Sequence, residues 1–312
     1  MKFPVSLALA AAMALPAGAV LAEYPEGPVE FIVPWPPGDL EDVLTRMIAE
    51  DFQEAYGQPA AVVNRPGGGG GPFPGAIEVA SAPADGSMVG SFVIGVPVVG
   101  PTLGIEELSP DPFVPVGIFL TYPFVLATSG SSEFQTMDEL AAYAQDNEVL
   151  LGHFGAALTP TAVSFALAET MGFSWGADAA YDALDCNTLA SGDVDVINTT
   201  IQLIMPCLDD VTILASVTGE RLALAPDAPT VGEIAPDLAI SLWNGLFVHK
   251  DTPQEVIDAI AAVAQETIAS ERAQTFAAET GAQIYWQDTS EATAQIESDI
   301  ATMARIDELT AE

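Results

Sequence analysis

Positive charge is almost missing from this chain: 7 Lys and Arg stand against 44 Asp and Glu, a formal net charge of −37. A surface of that sign repels phosphate backbones and anionic lipid, which excludes nucleic acid as a partner. The carboxylates are spread along the chain and form no long block, the distribution of a solubility adaptation more than of a cation-binding surface. Histidine is scarce too. His153 and His249 are solitary and lie in no H-E-x-x-H helix, so no zinc site is written in the sequence. The two cysteines, Cys186 and Cys207, fit no zinc spacing. In an oxidising compartment they most simply pair, the alternative being two buried thiols.

Cofactor and catalytic signatures are also lacking. The glycine run from Gly67 to Gly71 offers no G-x-G-x-x-G register, because each candidate meets Pro or Phe. No glycine precedes a lysine, which excludes a phosphate-cradling P-loop. Gly172-Phe-Ser-Trp-Gly176 matches G-x-S-x-G, but that chemistry needs a strand running into the serine and a helix leaving it. Here a helical pattern through Ala162–Met171 precedes the motif and Gly172 caps it, so a hydrolase using Ser174 is disfavoured. The chain reads as a binder and not an enzyme.

What is present begins with a leader. Lys2, an apolar run from Val5 to Val20 and a closing Ala19-Val-Leu-Ala22 with small residues at the cleavage positions form a secretory signal over residues 1–22. No later segment offers the ~20 uninterrupted apolar residues of a membrane helix. The remainder is long enough for two domains, each with its own core.

Strand, loop and helix then alternate. Val29–Val33 leads through the proline-rich loop 34–39 to a helix over 41–53, with Asp39 as a candidate cap. Ala61–Val63, Met88–Ile94, Val149–Phe154 and Val194–Ile197 read as further strands, the last ending at Asn198-Thr-Thr200 before a helix through Ile201–Leu208. Thr252-Pro253 opens a C-terminal helix, with Thr252 as its cap, and a second covers about 290–309. This order is that of α/β domains with mainly parallel sheets, whose ligands sit at the carboxyl ends of strands.

At this level the chain resembles a known family. Tyr24-Pro-Glu-Gly-Pro and Val33-Pro-Trp-Pro-Pro-Gly38, then Asp42 and Arg46, Val63-Asn-Arg-Pro-Gly67, Ala82-Pro-Ala-Asp-Gly86, Gly192-Asp-Val-Asp-Val196, Ala228-Pro-Thr-Val-Gly-Glu233, Trp243-Asn-Gly-Leu246 and Thr252-Pro-Gln-Glu255 follow the order found in substrate-binding proteins of tripartite tricarboxylate transporters, the Bug family. The resemblance implies a monomeric periplasmic protein of the two-lobed flytrap type, type II-like, with a mainly parallel sheet in each lobe. The first lobe would comprise 23–122 plus 249–312, and the second 123–248. The implied partners are a small organic acid or other carboxylate-bearing molecule and the permease subunits that receive it, with no cofactor or metal. The alternative is a ligand-binding accessory of a periplasmic sensor system, which neighbouring permease or kinase genes would distinguish.

By the same resemblance the ligand meets Pro37, Gly38, Asp39 and Asp42 in the first loop, Gly95 in the second, Gly155, Thr159 and Thr161 in the third, then Tyr181, Asp182 and Asn198. The Cys186 and Cys207 positions fall in neighbouring elements of the second lobe. Backbone N–H groups at strand ends and helix starts can bind a carboxylate without arginine. Two departures stand out: Asp39-Leu-Glu41 replaces the usual Gly, Gly and Thr or Ser, and Asp182 replaces a usual Lys. If desolvated, these acids disfavour a multiply charged anion and favour a neutral, zwitterionic or cationic ligand, or one brought with a metal ion. Both acids facing solvent is the other reading.

The exported protein is expected to start at or next to Glu23. Intact mass of secreted material retaining Met1–Ala22 would contradict the signal assignment.

Overall fold

The computed structural model describes residues 24–310 except 68–70, 157 and 182, so the leader and Asp182 lie outside the described residues. In Val29–Val33 (β1) only Glu30 is exposed, and the strand feeds the loop 34–39 and the helix Leu40–Tyr56 (α1). Leu40, Leu44, Ile48 and Phe52 recur at every fourth residue of α1 and are buried, giving it one core-facing stripe. Gly57, at φ +67°, ends the helix with its N–H on the Gln53 carbonyl.

Ala60–Asn64 (β2), Phe73–Ala80 (α2), Met88–Val93 (β3) and Gly95–Val99 (α3) repeat the alternation before Phe113–Thr121 (β4) leaves this lobe. The second lobe takes Phe124–Ser129 (β5), Met137–Tyr143 (α4), Leu150–His153 (β6), Thr159–Thr170 (α5), Ala177–Ala180 (β7), Cys186–Ser191 (α6), Val196–Thr200 (β8), Ile201–Ile204 (α7), Val211–Ser216 (β9) and Val231–Ile234 (α8). The chain returns through Trp243–His249 (β10), Gln254–Ala269 (α9), Glu271–Thr280 (α10), Gln283–Gln287 (β11) and Thr289–Thr310 (α11).

The first sheet has the order β11-β4-β10-β3-β1-β2 and the second β7-β6-β8-β5-β9. Each combines a parallel three-stranded unit, β3-β1-β2 in one and β7-β6-β8 in the other, with antiparallel strands that carry the chain between lobes. The result is a two-lobed α/β fold with mixed sheets, each parallel in one three-stranded unit.

Four expectations change. The second crossing precedes residue 248, because β10 pairs with β3 and β4 and its residues Trp243–Val248 are all buried inside the first sheet. Asn198 lies within β8 and not in a loop, since β5 extends that strand to Thr200 through antiparallel pairing. The helix expected through 201–208 is one α turn followed by a 3₁₀ segment, Met205–Asp210, with Pro206 at its start. Thr252 does not cap α9: the helix starts behind Pro253, and Thr252 Oγ1 is buried without a partner among the described residues.

The core is aromatic at its centre. Phe92, Phe113, Phe247 and Trp243 pack ring against ring at centroid distances of 5.1 to 6.4 Å, and burying each such side chain contributes about 1.5–3 kcal/mol. The Trp243 indole donates to Asp299 Oδ2 at 2.7 Å, fastening α11 to β10. Helix α11 packs on α3 of the first lobe and on α5 of the second, so both lobes share one apolar cluster.

Cys186, at the start of α6, is disulfide-bonded to Cys207, with Cα atoms 5.9 Å apart and a sequence separation of 21. A loop of this length closed in the unfolded chain is expected to contribute about 3 kcal/mol. Unfolding the unreduced protein should expose no thiol to a labelling reagent, and the Cys186→Ala, Cys207→Ala double variant should lose about that stability in urea.

Candidate ligand-binding site

The loop from β1 to α1 is held by one carboxylate. Asp42 is buried and accepts from the Gly38 N–H (2.8 Å), Arg46 Nε and Nη2 (both 2.9 Å) and Asn64 Nδ2 (2.8 Å). Asn64 also donates to the Trp35 carbonyl at 2.9 Å and accepts from Arg46 at 2.7 Å. Burial alone would raise the Asp42 pKa, but bonds from Arg46, Asn64 and Gly38 and the Arg46 charge outweigh it and hold the group below its ordinary range. With both oxygens doubly engaged, Asp42 positions the loop and has little capacity left for a ligand. Gly38 has φ +99°, which a side chain at this position would strain although space for it is open.

Pro37 and Asp39 are exposed beside it. Asp39 occupies the position before α1 but its side chain makes no cap bond. Partial desolvation, then the Asp42 charge, raises its pKa.

Behind this loop runs a buried polar chain. Glu41 is 2% exposed; its Oε2 accepts from the Tyr122 hydroxyl at 3.0 Å, while Oε1 is buried with no hydrogen-bond partner among the described residues. Asn244 Oδ1 lies 3.2 Å from the same hydroxyl, and Asn244 Nδ2 donates to Ser91 Oγ, itself 2.8 Å from Thr45 Oγ1. Tyr122 and Asn244 sit where the chain leaves and re-enters the first lobe, so this network ties the ligand loop to both crossings. Burial, followed by the Asp39 charge, pushes the Glu41 pKa from 4.5 to about 8. Burial and then the Glu41 charge likewise raise Tyr122.

The second lobe answers from its own strand ends. Thr159, first residue of α5, lies across from Gly95, first residue of α3: a Cβ on Gly95 would sit 3.8 Å from Thr159 Oγ1. Thr161 donates to the Gly155 carbonyl at 2.8 Å and so shapes the third loop from within. Asn198 donates to the Pro160 carbonyl at 2.7 Å and to Ser164 Oγ at 2.5 Å, leaving its Oδ1 buried and unpartnered among the described residues. Tyr181 is half-buried and its N–H bonds the His153 carbonyl. The half-buried rings of Phe124 and Phe154 continue from Tyr122, each pair with centroids 6.3 Å apart, into the second lobe's loop.

Other candidates go elsewhere. Buried His153 pairs through Nε2 with Asp178 on β7 at 2.8 Å. Ser174 is exposed after the α5 terminus, where Gly172 has φ +77°, so the strand-to-helix elbow is absent there. Arg46, Arg65, Arg221, Lys250, Arg272 and Arg305 all stand in ion pairs with carboxylates. No group of three or more metal-ligating side chains occurs among the described residues, and no described helix is long and apolar enough to cross a membrane. Sequence reasoning missed Tyr122, Asn244 and Ser91 as neighbours of the site; the Trp243-Asn-Gly-Leu246 motif was the available signal for one of them.

Two lobes with strand-end loops meeting across one cleft form the architecture of a periplasmic solute-binding protein. Solved structures share it: Rpa4515 of R. palustris with adipate has a TM-score of 0.76 at 22% identity, covering 92% of this chain and 98% of that one. MatC from Rhodopseudomonas palustris with bound malate has 0.72 at 21%, covering 92% and 99%. The chain is 29% identical to the UPF0065 protein in the tcbD-tcbE intergenic region of Pseudomonas sp. (strain P51), over 80% of this chain and 76% of the relative. It is 27% identical to protein BugT of Bordetella pertussis, over 75% and 74%. The model of the tripartite tricarboxylate transporter family receptor matches residues 44–310. The chain belongs to this family, a family of solute-binding receptors and not of enzymes.

Asp42→Asn turns an amide donor toward groups that are themselves donors and is expected to cost about 2 kcal/mol of folding stability, read from urea midpoints. Glu41 gives a pH signature of opposite kind. Between 4.5 and about 8 the folded protein keeps a proton that the unfolded chain releases, so this group's stabilising effect is complete below pH 4.5 and is lost as pH rises to about 8. Glu41→Gln should remove that part of the decline, and parallel stability profiles for parent and variant would rule it out.

Proposed function

We propose that the exported protein works in the periplasm, capturing a small carboxylate-bearing metabolite between its lobes and delivering it to the permease subunits of a tripartite transporter. The observation that carries this reading is the approach of Gly95 to Thr159, which sets two helix starts from different lobes against one another. Helix starts and strand ends supply N–H groups to an anion, which suits a protein whose Lys and Arg side chains among the described residues are already paired with carboxylates. Membership of the receptor family and the adipate and malate held by its structural neighbours support the same class of ligand. Pro37, Gly38, Gly95, Gly155, Thr159, Tyr181 and Asn198 are the residues assigned to line the cleft, with Asp42 and Thr161 shaping it.

Mass spectrometry of small molecules released from the purified protein is expected to find such a compound. Re-adding it at about 100 times its dissociation constant should stabilise the protein by about 2.7 kcal/mol, with compaction in small-angle scattering. Stabilisation without compaction would reject closure of the lobes.

A further inference from the structure

Resting on the two-lobed receptor reading above, we propose that Glu41 is a proton-operated latch on the chain crossings: protonated, it completes a hydrogen-bond chain that fastens both crossings to α1, and ionised, it lets go of the returning one. The chain passes between the lobes at Tyr122 and Pro123 on the way out and just before Trp243 on the way back. Rotation of one lobe against another is absorbed by a few such residues at element ends. Tyr122 follows the last residue of β4, and Asn244 is the second residue of β10. The Tyr122 N–H bonds the Leu242 carbonyl at 2.7 Å and the Ile94 N–H bonds the Trp243 carbonyl at 3.0 Å, so the crossings lie side by side against the end of β3.

Counting hydrogens separates the two states. The Tyr122 hydroxyl lies 3.0 Å from Glu41 Oε2 and 3.2 Å from Asn244 Oδ1, and its one hydrogen serves only one of them. An ionised Glu41 claims it, because a bond to a charged acceptor is the stronger. Asn244 Oδ1 is then a buried acceptor deprived of this donor. A Glu41 protonated at Oε2 instead donates to the Tyr122 oxygen, which frees the Tyr122 hydrogen for Asn244. Asn244 Nδ2 donates to Ser91 Oγ at 2.8 Å, and Ser91 Oγ lies 2.8 Å from Thr45 Oγ1. The chain then runs unbroken from Glu41 through both crossings to β3 and back to α1, one turn beyond its start. In this form the unpartnered Oε1 is a carbonyl oxygen without charge, a smaller penalty than a buried carboxylate oxygen. The titratable groups that act on Glu41 are Asp39 and Asp42 on its own segment and Tyr122 on the crossing. Both acids oppose its ionisation, Arg46 is engaged by Asp42 and Asn64, and burial keeps the Tyr122 hydroxyl protonated. The folded carboxyl titrates at about 8, so the fastening weakens as pH climbs to that value.

The test needs no ligand. Residue-resolved hydrogen exchange on the mature, ligand-free protein, expressed as protection relative to the intrinsic rate at each pH, reads the opening of individual hydrogen bonds. Between about pH 6 and about pH 9 the Tyr122 and Ile94 amides should lose protection about tenfold or more. Amides within β1 and β8 should lose much less, and small-angle scattering should show expansion. Glu41→Gln, whose side-chain amide donates to Tyr122 at every pH, should keep both crossing amides protected and the dimensions constant. Tyr122→Phe breaks the chain and should show the lowered protection already at the acid end of the range; should this variant not fold, the parent and Glu41→Gln decide. A loss of protection running in parallel through β1 and β8 reports global stability, and a loss that persists in Glu41→Gln reports another group. Either result, or dimensions that do not change with pH, overturns the latch and leaves the receptor reading standing.

Discussion

The Asp42 carboxylate organises the first-lobe loop. Its two oxygens collect a backbone N–H from Gly38, the guanidinium of Arg46 and the amide of Asn64, while Asn64 also holds the Trp35 carbonyl. A loop with prolines at 34, 36 and 37 has few backbone donors of its own. One buried acceptor therefore sets the path from β1 into α1, and everything displayed on that path, Gly38, Asp39 and Glu41, takes its position from it. The cost of burying the charge is offset by four donors that favour its ionised form.

Glu41 lies one residue away and has the opposite electrostatic fate. It has the Tyr122 hydroxyl where Asp42 has a guanidinium, and burial prevails, so its carboxyl holds a proton far above the ordinary range. Adjacent acids thus divide into a loop anchor whose ionised form its donors favour and a buried group that holds its proton well above the ordinary carboxylate range. The polar chain beyond Glu41 runs through Tyr122 and Asn244 to Ser91 and Thr45, joining the ligand loop to both strands that cross between lobes.

The acidity of the chain has a local consequence. Every Lys and Arg among the described residues is paired with a carboxylate, mostly at the surface, where such pairs contribute little to stability. Their effect is to satisfy the few side-chain cations locally, each beside its own carboxylate. The fold rests on the aromatic packing around Trp243 and Phe247 and on α11, which covers both lobes.

Local order was legible in the residues. Alternating apolar strands and helical spacing gave β1, α1, β3 and α11 close to their observed limits, and the glycine end at Gly172 followed from its backbone preference. The ordered run of short motifs carried the family, since many weak matches in one order constrain more than any one. Partners distant in sequence decided the rest. That Trp243–His249 belongs to the first sheet depends on pairing with β3 and β4, and Asn198 became a strand residue only through β5. Asp42 read as a ligand contact until Asn64 and Gly38 were brought to it. Glu41 read as part of an acidic departure from the family's loop, and only the fold removed its water and placed Tyr122 on one oxygen alone. Periodicity records which face of an element is buried; it carries no information on which distant donor reaches a given oxygen, and on that the chemistry of this cleft depends.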